Sequence, residues 1–217
     1  MATAKGVPQI VVLGAGPHAK VVLEAAIAAD LGDFVGVLDP AADARPILGI
    51  PVLGSDDLLP ELRARGIDTV ILAVGHNAAR ERLGREARRH GYRLPPVVHP
   101  SAFLAPSAQV AEGAVVMARA VVGTDVSVGD FTIVNTGAII DHDGVLQSAA
   151  HVAPGCAIAG SVQIGARTLI GVGSSIRPGT RIGMDVVVGA GSAVVCDIED
   201  GSIVGGAPAR LLRAITK

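Results

Sequence analysis

Large aromatic side chains are nearly absent: the 217 residues include no Trp, one Tyr and three Phe. Half of the residues are nonetheless apolar, so any core must be built from small and branched aliphatics, as a repeat solenoid allows. Cysteine is equally scarce. Cys156 and Cys196 offer neither a disulfide framework nor metal-ligand spacing, and both read as small hydrophobes. No apolar run reaches the roughly eighteen residues a spanning helix needs, and the N-terminus lacks the basic-then-apolar pattern of a signal peptide. A soluble, cytoplasmic protein is expected. The formal net charge of −2 argues against broad electrostatic attraction to nucleic acid or an anionic membrane.

What the chain has in abundance is a strict six-residue period. Stepping by six from Val98 through Leu104, Val110, Val116 and onward to Val188 and Val194 gives seventeen positions, each a branched aliphatic. A helix would repeat at 3.6 residues and a simple strand at two. A period of six fits a coil with three flat faces, one inward aliphatic per face and eighteen residues per coil. The following residue is often Gly, as at 123, 129, 165, 171, 183 and 189, which suits a tight corner.

Before the ladder the pattern is different. Strand-like runs at Gln9–Leu13, Phe34–Leu38, Ile47–Leu53 and Thr69–Val74 alternate with helical stretches over about 19–29, 55–65 and 78–90. This alternation predicts a small parallel sheet covered by helices. The expected architecture is therefore an α/β domain over residues 1–95, then a parallel β-helix with a short C-terminal helix over residues 96–217.

In open parallel sheets, ligands bind beyond the carboxyl ends of the strands. Those ends carry Gly14-Ala15-Gly16-Pro17-His18, Asp39 and Gly75-His76-Asn77. The glycines permit close backbone approach, and the next helix start offers N–H groups to a phosphate. The same residues also suit a purely structural turn. Asp39 fits either a ribose or base contact or the capping of its own turn.

Within the ladder one region breaks the corner chemistry of Gly, Ala, Ser and Pro. Asn135-Thr136-Gly137 precedes Asp141-His142-Asp143, and His151 follows nine residues after His142. Nine residues is half a coil, so the two imidazoles lie on different faces. The narrow core has no room for either, so both are expected to point outward or toward a neighbouring subunit. A neutral imidazole can remove a proton from an attacking amine or hydroxyl, and Asp143 or Asp141 can fix its tautomer. With no Ser or Cys beside it, direct transfer is favoured over a covalent intermediate. A metal site is not expected, because the spacing matches no strong zinc pattern.

These segments, with Gly189-Ala190-Gly191-Ser192 and Gly205-Gly206-Ala207-Pro208-Ala209-Arg210, resemble the left-handed β-helix acyltransferases of hexapeptide repeats. Gly14 to Val22 resembles the first-domain segment of the subgroup acetylating sialic acid or nucleotide-activated amino sugars. The resemblance implies an acetyl-CoA-dependent N-acetyltransferase of a nucleotide-linked amino-dideoxysugar, such as GDP-perosamine or a UDP-4-amino sugar. O-acetylation of sialic acid is the alternative within the family, and a silent sugar-nucleotide-binding scaffold the alternative outside it. His142 is then similar to the general base, with Asp143 its carboxylate and Asn135 a polar group near it. His151 is similar to the residue beside the thioester, and the N–H of Gly160 to the one facing its carbonyl. Gly171, Arg177, Pro178 and Thr180 would line the rest of acetyl-CoA, in a groove between subunits of a homotrimer. Gly14, Gly16, His18, Asp39, Asn77 and Arg80 would bind the nucleotide sugar. Pro17 stands where relatives usually have Gly and removes one phosphate-binding N–H.

Overall fold

The computed structural model describes residues 7–41 and 45–214. Strands β1 (Gln9–Leu13), β2 (Asp33–Leu38), β3 (Val52–Gly54) and β4 (Thr69–Leu72) form a parallel sheet in the order β3-β2-β1-β4. Helices α1 (Pro17–Ala28), α2 (Leu59–Ala64) and α3 (Asn77–Arg89) connect them. The expected strand over 47–53 is shorter in fact. Ile47 and Ile50 form an isolated antiparallel bridge around Leu48 and Gly49, both at positive φ, so the parallel strand begins only at Val52. The helix expected over 55–65 starts as a 3-10 turn, Asp56–Leu58, before α2.

From Val97–Val98 to Ala193–Val194 the chain forms seventeen two-residue strands, β5 to β21, and the second residue of each is a ladder aliphatic. The strands stack in three parallel faces of a left-handed β-helix, pairing each residue with the one eighteen further on; Ile133, His151 and Leu169 are consecutive partners. The core is the column of Val, Ile and Leu within the prism. Burial of each such side chain is worth about 1.5–3 kcal/mol, which makes aromatics unnecessary.

The C-terminal helix is not found among the described residues. Arg210–Ala214 forms β23, which pairs antiparallel with β22 (Ser202–Gly205). The preceding strand offers an open row of backbone donors and acceptors at the end of the prism, and pairing satisfies them.

The small domain rests on the eight-stranded face and its adjoining corner. Val97, Val115, Met117 and Ile133 share a buried cluster with Ala19, Val22 and Ala26 of α1. Phe131 and Ala149 join Leu83 and Ala87 of α3 in another. Phe131, Ala149, Arg167 and Asp185 occupy one corner, eighteen residues apart, with φ of 59°, 56°, 58° and 56°. This left-handed conformation costs a non-glycine residue roughly 1–2 kcal/mol. Each of the four N–H groups offsets that cost by donating to a carbonyl of the coil before, at Glu112, Asp130, Ser148 and Ala166.

Candidate active site

His142 sits on the corner after β12 (Ile139–Ile140), where its side chain is 57% exposed. Asp143, the next residue, adopts φ 57°, a conformation Asp tolerates better than most residues. That turn brings its carboxylate back to the ring, and the Nδ1–H of His142 donates to Asp143 Oδ2 at 2.8 Å. The hydrogen bond to Asp143, with the charge of Asp141, raises the His142 pKa. The tautomer so fixed leaves the Nε2 lone pair free, as a general base requires. The ring lies over Gly160, one coil on, where any Cβ would overlap Cε1 and Nε2. The Gly160 carbonyl accepts from Gly179 N–H.

His151 behaves differently. It begins β14 (His151–Val152) on the face that carries the small domain, and its ring centroid lies 6.3 Å from that of His18 in the first turn of α1. His151 does point out of the prism, but toward the small domain of its own chain rather than toward a neighbouring subunit. Burial, then the charges of Arg80 and His18, lower its pKa to about 3. A neutral ring accepts at Nε2 from Asn135 Nδ2–H at 3.1 Å, while Asn135 Oδ1 accepts from Thr136 N–H. Within one chain, Asn135 therefore orients His151 rather than His142. His18 is also held neutral, its pKa lowered by burial and by Arg80, and its buried Nε2 has no hydrogen-bond partner.

The turns at the strand ends divide between contact and support. Gly14, at φ 107°, has no room for a Cβ, which would meet Val74 Cγ2 and the Ala73 carbonyl. Gly16 is the N-cap of α1, and Pro17 fills the first helical position, where its missing N–H costs nothing to the helix. Asp39 Oδ2 accepts from Ala15 N–H and Oδ1 from Ala41 N–H, so its carboxylate braces the first turn.

Arg80 corrects the sequence expectation. Rather than border the ligand, it is fully buried and joins the two parts of the chain. Its guanidinium donates to the carbonyls of Val74 and Gly75 at 3.0 Å, Phe131 at 2.7 Å and Ala149 at 2.9 Å, and to Asn77 Oδ1 at 2.9 Å. Burial pushes its pKa down to about 10. Asn77 is committed as well, its Nδ2–H donating to the Arg167 carbonyl at 2.8 Å. Arg80 is thereby removed from any ligand, whereas half-buried Asn77 keeps a second Nδ2–H at the edge of a cleft.

Among the residues expected along acetyl-CoA, Arg177 and Pro178 are exposed on the His142–Gly160 corner, one coil further. Gly171 has room only for hydrogen, since a Cβ would meet the Val188 carbonyl and Ala190 nitrogen. Thr180 is a second correction. It is buried, and its hydroxyl donates to the Arg177 carbonyl at 2.7 Å, closing the corner instead of lining a groove.

Sequence reading missed two features. Arg167 bridges Glu81 of α3 at 3.0 Å and Asp185 at 2.7 Å, which raises its pKa. Beside it a cleft of about 670 Å³ opens between Gly75–Ala78 and the outward side chains of Leu169 and Val187, in the usual size range of ligand sites. The only sequence signal was an Arg eighteen residues before an Asp, at Arg167 and Asp185. A second pocket, at the ends of β1 and β2, includes Asp56 and Arg82. Nothing in their spacing marked them. No group of His, Cys, Asp and Glu among the described residues could hold a metal ion.

Residues 9–87 match the family model of the PglD N-terminal domain. The whole fold is similar to a histidine-to-asparagine variant of perosamine N-acetyltransferase from Caulobacter crescentus in complex with CoA and GDP-perosamine. That likeness has a TM-score of 0.92 at 41% identity, over 96% of this chain and 98% of the other. The acetyltransferase domain of PglB from Neisseria gonorrhoeae FA1090, in complex with acetyl coenzyme A, gives 0.90 at 40% identity over 95% and 100% of the two chains. Carnitine operon protein CaiE from Salmonella agona (strain SL483) is 33% identical over 138 residues, 57% of this chain and 69% of that protein.

Proposed function

The chain belongs to the hexapeptide-repeat, left-handed β-helix sugar N-acetyltransferases, and on that premise we propose that it transfers acetyl from acetyl-CoA to the amine of a nucleotide-linked amino-dideoxysugar. The observation that carries the chemistry is His142, its Nδ1–H held by Asp143 and its Nε2 directed over Gly160.

The amine attacks the thioester carbonyl while His142 Nε2 takes the proton that the new C–N bond releases. Asp143 stabilises the imidazolium. The Gly160 N–H is suited to the developing oxyanion. The C–S bond then breaks, and the departing thiolate recovers the proton. Alignment of both ligands contributes at least as much as the base.

In this reading residues 1–95 bind the nucleotide portion and residues 96–217 carry out the transfer. Gly14, Gly16 and His18 contact the nucleotide sugar, His151 flanks the thioester, and Gly171, Arg177 and Pro178 accompany CoA. Asp39 acts through the turn it braces, which leaves pyrophosphate contacts to backbone groups. The enzyme works as a cytoplasmic homotrimer. An apolar column in register on the six-stranded face, Phe103, Val121, Ile139 and Ala157, supports this, with Phe103 58% and Ile139 46% exposed. That face ends at the corner of His142, so a neighbour covering it would bring its own His151 face near the base.

Thiol release from acetyl-CoA, with product masses, tests the reading against GDP-, UDP- and dTDP-linked amino sugars and against sialic acids. Turnover is expected with a nucleotide-linked amine. Turnover confined to sialic acid would overturn it in favour of O-acetylation.

A further inference from the structure

The pocket at the carboxyl ends of β1 and β2 has a volume of about 170 Å³. Leu13, Leu38, Val74 and Leu83 give it apolar walls, and Asp56 and Arg82 give it a polar edge. Arg82 Nη1 lies 3.6 Å from Asp56 Oδ2 and 3.3 Å from Glu86 Oε2. A guanidinium has five N–H donors and a carboxylate about four acceptor sites, so both groups retain capacity for a ligand. Asp39, on the same pocket, already accepts one backbone N–H at each oxygen, which fixes its carboxylate toward the first turn and leaves it fewer acceptor sites than Asp56. The pocket therefore presents donors beside acceptors along one edge, between walls suited to a flat ring.

We propose that Asp56 and Arg82 select a guanine nucleotide as the carrier of the acceptor sugar. The inference rests on the acetyltransferase reading above only for the sugar, and on the ends of a parallel sheet being ligand sites for the rest. The pairing edge of guanine runs O6 acceptor, N1–H donor, N2–H donor. Arg82 donates to O6, a contact Arg makes widely to guanine, and Asp56 accepts from N1–H and N2–H together. Uracil and thymine present acceptor, donor, acceptor, which sets a carbonyl oxygen against the carboxylate. Adenine presents its amino donor to the guanidinium. Among guanine, uracil, thymine and adenine, guanine alone satisfies both side chains, and its N2–H gives Asp56 a second donor beside N1–H.

Titration calorimetry of the intact protein with GDP, IDP and UDP isolates this choice, because IDP lacks only the 2-amino group. GDP is expected to bind at least ~10-fold more tightly than either, the scale of a hydrogen bond to a charged group. Asp56→Asn should reduce the GDP-to-IDP ratio toward one, with the fold unchanged by circular dichroism. Equal binding of UDP and GDP, an unchanged ratio in Asp56→Asn, or no nucleotide binding would each overturn the assignment. Acetyl transfer distinguishes the two readings. Selective GDP binding without turnover of any amino sugar would remove the reaction and leave the base assignment standing. Equal kcat/KM for GDP- and UDP-linked amines would do the reverse.

Discussion

In the proposed reaction the chemistry turns on a single imidazole, His142. His142→Ala should lower turnover by at least ~100-fold, the usual scale for a lost general base, with the oligomer intact by light scattering; parental rates would remove the assignment. Its pH dependence has a definite sign. The base acts when neutral, and the hydrogen bond to Asp143 raises its pKa, so activity should climb as pH rises through that value. Asp143→Asn removes the main cause of the shift. The acid limb of the kcat/KM profile should therefore move to lower pH while the plateau falls. Gly160→Ala would force the ring aside, since its Cβ overlaps Cε1 and Nε2. Misplacing a reacting group by about 1 Å can cost ~100-fold, and the loss should fall on kcat rather than on the KM for acetyl-CoA. His142 and Asp143 were legible because no other corner of the ladder sets a His between two carboxylates. The pairing of His151 with Asn135 and His18 was not, because it depends on how the small domain lies over the eight-stranded face.

At the scale of elements, the ladder declares itself because every inward position carries its own aliphatic. The docking of α3 gives no such sign. Arg80 is held by main-chain carbonyls, an acceptor that every residue possesses, so no sequence pattern names its partners. The family resemblance instead suggested a contact with the nucleotide sugar. Arg80→Met would leave the carbonyls of Phe131 and Ala149 buried without donors, at about 1–3 kcal/mol each. A loss on the order of 3 kcal/mol in denaturant unfolding is expected, with Arg80→Lys intermediate because an ammonium cannot form the planar fork. A near-neutral Arg80→Met would mean that water replaces the guanidinium at the junction. The C-terminal segment was misread as helix for a related reason: its conformation follows from the open backbone of β22.

The whole molecule presents its apolar column beside His142, and the proposed trimer can be tested there. Ile139→Lys should yield a folded monomer by light scattering, since the inward neighbour Ile140 is untouched, and it should abolish transfer if a second chain completes the site. Full activity in the monomer would return catalysis to one chain. The corner that receives α3 has a further consequence. Phe131, Ala149, Arg167 and Asp185 stand on successive rungs, so the small domain is engaged at a counted height on the prism. One rung is an inter-strand spacing of about 4.8 Å. The reach between the pocket at the ends of β1 and β2 and His142 is thus graduated like a ruler: transposing those four identities by one coil would move the small domain a whole division, and every intermediate length must be found within the loops.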